Sequence, residues 1–225
     1  FRSGATEARE ELFQIGISAA TNDPVLYHSV VMGLAGSCTE ADLILEGLSR
    51  DASKERRLLA LLALRKKHHP YWLFEGVKAE ESNSSDSNIA PLTPQRLLNL
   101  GLRVRNDELT EVRPVSASLS LFLNDPDPEV VAEAARGIHD LESAEGLPRL
   151  ADLLIRWSRI DEEEVNRWGD WMWPVGRRAI DAALRHGGTP HLKALAVFAT
   201  LPHVPLGLRQ LALETVADWN EPPAR

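Results

Sequence analysis

The sequence predicts an all-α fold, an α-solenoid (α-α superhelix) of about five two-helix repeats occupying residues 1–225 as a single domain. Three observations carry this expectation. Apolar residues recur at spacings of three and four along nearly the whole chain, the period of a helix with one buried face. The stretch Leu119-Ser-Leu-Phe-Leu-Asn-Asp-Pro-Asp-Pro-Glu-Val-Val-Ala-Glu-Ala-Ala-Arg-Gly-Ile-His139 reads as helix, turn, helix, and looser versions of it stand before and after. No apolar/polar alternation bounded by hairpin turns appears anywhere.

Taken in order, Thr6 to Ala20 places Ala8, Leu12, Ile15 and Ala19 on one helical face, with Glu7, Glu10 and Glu11 where carboxylates complement the helix dipole. Asn22-Asp23-Pro24 supplies a cap and a first-turn proline for a second helix carrying Leu26, Val30, Val31 and Leu34, which Gly33 and Gly36 bring to a close. Thr39 to Leu48 and a strong helix over Leu58 to Lys67 repeat the arrangement. In the central unit an apolar helix ends at Asn124, Asp125-Pro-Asp-Pro128 forces a turn, and Val130, Ala134 and Ile138 share a face. Leu147 to Trp157 opens the next unit. Asp161 to Glu164 and a tryptophan cluster lengthen its connection to a helix over Val175 to Arg185, ended by Gly187-Gly188 as an αL cap. Pro190 to Thr200 and Leu206 to Trp219 form the last pair.

Aligning the second helices on Val130 gives equivalent positions Leu26, Arg56, Val130, Gly176 and Leu208. Four residues on stand Val30, Ala60, Ala134, Ile180 and Ala212; eight on stand Leu34, Leu64, Ile138, Leu184 and Val216. The anchors lie 30, 74, 46 and 32 residues apart. The long interval is read as an insertion at 71–112, containing a flexible polar loop at 79–93 and a helix from Pro94 to Val104.

Composition narrows the function classes. A formal charge of −8 argues against generic binding to nucleic-acid phosphates, which Lys and Arg must neutralise. The single cysteine, Cys38, excludes an internal disulfide, a C-x-x-C metal site and covalent haem attachment through C-x-x-C-H. No run approaches the roughly 18–20 apolar residues of a membrane helix, so no membrane segment is expected. The start without Met and the end at Pro222-Pro-Ala-Arg225 suggest a piece of a longer chain.

The run Phe122-Leu-Asn-Asp-Pro-Asp-Pro-Glu-Val-Val-Ala-Glu-Ala-Ala-Arg-Gly-Ile-His-Asp-Leu141 resembles the HEAT-like region of large bacterial secreted proteins. Those proteins join a sugar-dehydrogenase-like propeller to HEAT repeats and a c-type haem domain. Pro174 to Gly188 and Leu208 to Pro223 are similar to the same region, while the N-terminal half matches only as generic HEAT. The resemblance implies a non-catalytic repeat segment of a periplasmic or secreted redox protein whose chemistry lies in other domains. Residues 71–112 depart from the pattern, and no haem motif follows the repeats.

The least usual local composition is Trp168-Gly-Asp-Trp-Met-Trp-Pro174. Tryptophans pack long loops onto a core and also dominate binding hot spots, so this run is either a staple or a partner surface. Trp168, Trp171 and Trp173, with Arg177 and Arg178 beyond them, are the candidate partner surface. The arginine of the HEAT Val-Arg step stands at Arg57, Arg177 and Arg209, where pairing with turn aspartates such as Asp51 would form a ladder between repeats.

Adjacent His68 and His69 point about 100° apart on a helix and have no third ligand at helical spacing, so no metal is expected there. Cys38 reads as a small buried hydrophobe. Phosphate-loop, dinucleotide, nucleophile-elbow and zinc-protease motifs are all missing, and neither catalytic residue nor cofactor is expected. The expected function is a scaffold or protein-interaction segment, its partners being neighbouring domains or another protein. The rival is a HEAT-like DNA-binding protein of the DNA-glycosylase type, to be recognised by a continuous Lys/Arg stripe with exposed Trp and Asp.

Overall fold

The computed structural model describes residues 2–49, 51–68 and 117–219, and among these every regular element is helical. The insertion expected at 71–112, with its loop at 79–93 and its helix, lies outside the described residues, as does His69. Helices α1 (Arg2–Ala19), α2 (Pro24–Ser37), α3 (Glu40–Leu48) and α4 (Lys54–His68) come first. A short α5 (Ser118–Leu121) runs into a 3-10 turn, Phe122–Asn124, before α6 (Pro128–Asp140). Then come α7 (Gly146–Trp157), α8 (Glu162–Trp168), a 3-10 turn Gly169–Trp171, α9 (Met172–His186), α10 (Thr189–Thr200) and α11 (Leu206–Ala217).

Side-chain caps set several of these boundaries. The Asp23 carboxylate accepts from the backbone N–H groups of Val25 and Leu26 at 3.1 and 2.9 Å, satisfying donors that α2 leaves free. Thr39 and Asp42 close a reciprocal capping box on α3. Asp127 accepts from Glu129 N–H at 2.9 Å ahead of Pro128, so the Asp-Pro-Asp-Pro run both turns the chain and starts α6.

Three expectations are corrected. Gly33 does not end α2, which runs on through Gly36 to close at Ser37, because a glycine within a packed helix costs only about 1 kcal/mol. The connection after Asp161 is itself helical over Glu162–Trp168, since Asp161 accepts from Glu164 N–H at 2.8 Å and caps it. Gly187 and Gly188 have positive φ, 73° and 99°, but extended ψ of −168° and 137°, a glycine-favouring reversal different from the αL cap.

Packing follows chain order. The pairs α1/α2, α3/α4, α7/α9 and α10/α11 pack internally, while α2, α4, α6, α9 and α11 each touch the next of that series. The register residues explain why: Val30, Ala60, Ala134, Ile180 and Ala212 are all buried, as are Leu34, Leu64 and Ile138 one turn further. One apolar cluster extends from Phe13 in α1 to Ala212 in α11. Close approach depends on small residues; a Cβ on Gly47 of α3 would overlap the buried Phe122 ring.

The arginine at the Val-Arg step behaves as expected once, with a different partner. Arg57 Nε and Nη2 donate to the two oxygens of Asp125 at 2.8 and 3.0 Å, and Nη1 donates to Ala52 O at 2.8 Å. Asp125, on the turn before α6, thus takes the place foreseen for Asp51, and ties α4 to the following unit. Arg177 is exposed and Arg209 is half-buried with its Nε unpartnered among the described residues, so a continuous ladder is not formed.

Candidate functional site

The α7–α9 connection positions the tryptophans. Trp168, the last residue of α8, is 8% exposed and meets Trp157 edge-on at 4.9 Å; Trp157 in turn stacks on Phe198 of α10 at 6.1 Å. Trp168 is therefore a staple that pins the connection to the core. Gly169, at φ 49° and ψ −131°, then turns the chain through a conformation that disfavours a side chain.

Beyond this turn Met172 and Val175 are fully buried and seat the start of α9. Between and around them Trp171 and Trp173 stay outside, 40% and 46% exposed. The Trp173 indole lies on the backbone of Gly207 in the first turn of α11, where a Cβ would come within 2.7 Å of the ring. Leu206, next to that glycine, is 62% exposed. The structure thus brings two indoles and a leucine to the surface at the start of α9 and α11, and it turns Trp168 away from them.

Arg177 stands one helical turn after Trp173, on the same side of α9, and is exposed. Arg178 folds back, its Nη1 donating to Pro174 O at 2.9 Å. Burial lowers the proton affinity of this guanidinium, with Arg177 and Arg136 adding repulsion and Asp140 opposing it. No carboxylate lies within ion-pair distance of Arg177 or Arg178 among the described residues. The nearest acid in sequence, Asp181, is engaged by His139 and Arg185, and Asp170 is exposed on the turn before α9.

The described residues of this site offer apolar contact, cation–π contact and charge. Several charged side chains along the second helices are paired across units. Arg65 of α4 reaches Glu133 and Asp140 of α6, at 3.2 and 2.8 Å. His139 lies 3.0 Å from Asp181 of α9, which also pairs with Arg185. Buried His191 sits between Gly187 O and the Asp152 carboxylate at 3.0 and 3.2 Å, an interhelical tie. Cys38 is buried and its thiol is pushed up by burial. His68 lies 3.5 Å from Glu40, and burial lowers its affinity for a proton. No group of three or more His, Cys, Asp or Glu among the described residues is arranged to hold a metal ion.

Leu206 and Gly207 join the site without having been singled out in the sequence. Their signal was a Leu-Gly pair just after Pro205, where the proline starts a helix and leaves the leucine on its outer first turn. Comparisons of the chain with protein-family models, curated proteins and solved structures return no match.

Proposed function

We propose that this chain is a non-catalytic docking scaffold, a HEAT-like α-solenoid segment that holds neighbouring domains or another protein in place. The observation that carries the reading is the pair of half-exposed indoles, Trp171 and Trp173, fixed on either side of the fully buried Met172. Indoles held in this way are preorganised, so little side-chain entropy is lost on binding, and tryptophan is enriched in binding hot spots. Helices that touch in chain order around one apolar cluster support the solenoid arrangement.

A repeat segment of a periplasmic or secreted dehydrogenase or cytochrome-type protein is the context in which we place it, on the similarity of Phe122–Leu141, Pro174–Gly188 and 208–223 to such repeats. The DNA-glycosylase-type alternative gains no observation: Lys54, Arg65 and Arg185 on the second helices are neutralised by Glu129, Glu133, Asp140, Asp181 and Glu142. A continuous cationic stripe is what duplex binding would need.

Site-specific photo-crosslinking tests the docking reading. A benzophenone side chain at position 173 should capture protein in the parent cell, whereas the same group at exposed Glu214 should not. Equal capture from both positions, or none from position 173, would remove the basis for a docking surface here.

A further inference from the structure

The last helix pair is fastened to the unit before it through one buried histidine. His191 lies in the first turn of α10, just past the Gly187-Gly188 reversal, and is 6% exposed. Its Nδ1 stands 3.0 Å from Gly187 O, and its Nε2 stands 3.2 Å from Asp152 Oδ1 on α7. A backbone carbonyl and an ionised carboxylate have lone pairs and no hydrogen to give, so both ring nitrogens must donate if both contacts are hydrogen bonds. Only the imidazolium carries two N–H groups. Neutral imidazole carries one; when it keeps the bond to Gly187 O, its Nε2 lone pair faces the carboxylate and the tie to α7 is lost.

The other charged groups of the surrounding helices do not replace Asp152. On α7, Arg149 is exposed and Arg156 is engaged with Asn124 and Leu123 O. On α9, the exposed His186 ring meets His191 edge-on at 5.3 Å, and Arg185 is held by Asp181 and Glu142. Helix α11 contributes Arg209 and Glu214, and α10 itself Lys193; none of these three bonds to the ring among the described residues. The positive end of α10 and a protonated His186 oppose the imidazolium charge, and the Asp152 carboxylate holds it.

We propose that His191 and Asp152 form a proton-operated latch between α10 and α7, closed when the imidazole is doubly protonated and open when it is neutral. Because α10 pairs with α11, whose Gly207 supports the Trp173 indole, the latch also steadies the helix beneath the exposed aromatic face. The folded chain retains a proton that the unfolded chain gives up. The latch therefore stabilises at the acidic end of the histidine range, about pH 5, and its contribution is lost as pH rises toward about 8.

Thermal melts of the full chain and of its Asp152→Asn variant at about pH 5.5 and about pH 8.5 test the latch. The Asp152 side chain is 49% exposed, so the substitution leaves the fold intact. A carboxamide NH2 can donate to the Nε2 lone pair of neutral imidazole, so this variant closes the contact in the opposite protonation state. The parent should melt about 2–4 °C above the variant at the lower pH, and at the higher pH the difference should vanish or reverse. Other histidine contacts, His139 with Asp181 among them, are present in both proteins and cancel from the difference.

Nitrogen-15 spectra of the imidazole rings, with the His191 signals identified by their loss in His191→Gln, read the proton directly. Both ring nitrogens should carry hydrogen at the lower pH and only Nδ1 at the higher. A parent–variant difference equal at the two pH values, or a neutral His191 ring at the lower one, would overturn the latch.

Discussion

Asp125 is the carboxylate through which the fourth helix grips the unit that follows. Its side chain is 4% exposed and receives two bonds from Arg57, so removing the guanidinium leaves a buried charge without its partner. Arg57→Ala should cost about 3 kcal/mol in urea denaturation, and the Arg57→Ala/Asp125→Ala double variant clearly less than the sum of the singles. Arg57→Lys should fall between, because a single ammonium cannot reproduce the two-pronged contact. The arginine was legible from the repeated Val-Arg step, but its partner was not. Asp51 is six residues away in the sequence and Asp125 is 68, and only folding decides which of two turn aspartates the side chain meets.

Arg56, the next residue back, joins three helices. It donates to both oxygens of Glu10 at 2.9 and 2.8 Å and to Glu46 at 2.8 Å, and lies 4.4 Å from the Phe13 ring centroid. These bonds hold the Glu10 carboxyl down at about 2, against 4.5 for the free group. A depressed folded-state value means the stabilisation is complete above about pH 4.5 and is lost as pH falls toward about 2. Glu10 is 52% exposed, so solvent screening limits the contribution to roughly 0.5–1 kcal/mol. Thermal melts of the parent and Glu10→Gln should differ at pH 7 and converge on acidification; a gap that stays constant to pH 3 would show that the ion pair does not contribute.

Among the elements, α6 packs between α4 and α9, and Ala134 is fully buried within it. Ala134→Leu should lose about 1–3 kcal/mol from overpacking, while Ala134→Ser should be mild. Gly47→Ala should be of the same order as the leucine substitution, because the atom it must displace belongs to the buried Phe122 ring and not to a flexible side-chain end. Denaturant midpoints of the three variants rank these effects, and an Ala134→Leu midpoint equal to the parent would mean the helix register is wrong.

The same element shows what the sequence conveyed well, since Asp127, Pro128 and the Val130–Ala134–Ile138 stripe all act as read. It conveyed α8 poorly. Asp161 followed by three glutamates is a sound helix start, but a seven-residue helix is too short to display a period. The tryptophans were visible as a composition, whereas their division into a buried Trp168 and exposed Trp171 and Trp173 depends on the Gly169 turn.

For the whole molecule, the helices of the described residues join a single apolar cluster, and the ionic contacts between units, such as Arg57–Asp125 and Arg65–Glu133, link units that are adjacent in the chain. Such contacts are what the proposed stacked array requires, in which each unit answers to its neighbours. The helices and their buried positions were legible because apolar residues recur at helical spacing; the 74-residue interval between the second and third anchors was legible only as a departure from the register.

The stacking claim has a direct test in the distance between its ends. Spin labels at exposed positions 29 on α2 and 210 on α11 stand on the first and last helices of the series α2, α4, α6, α9 and α11. Four steps of about 8–10 Å place them roughly 30–40 Å apart in a stacked array. Pulsed electron–electron spin resonance should return one distribution centred in that range. A dominant distance below about 20 Å, as in a closed bundle whose first and last helices touch, would contradict the account.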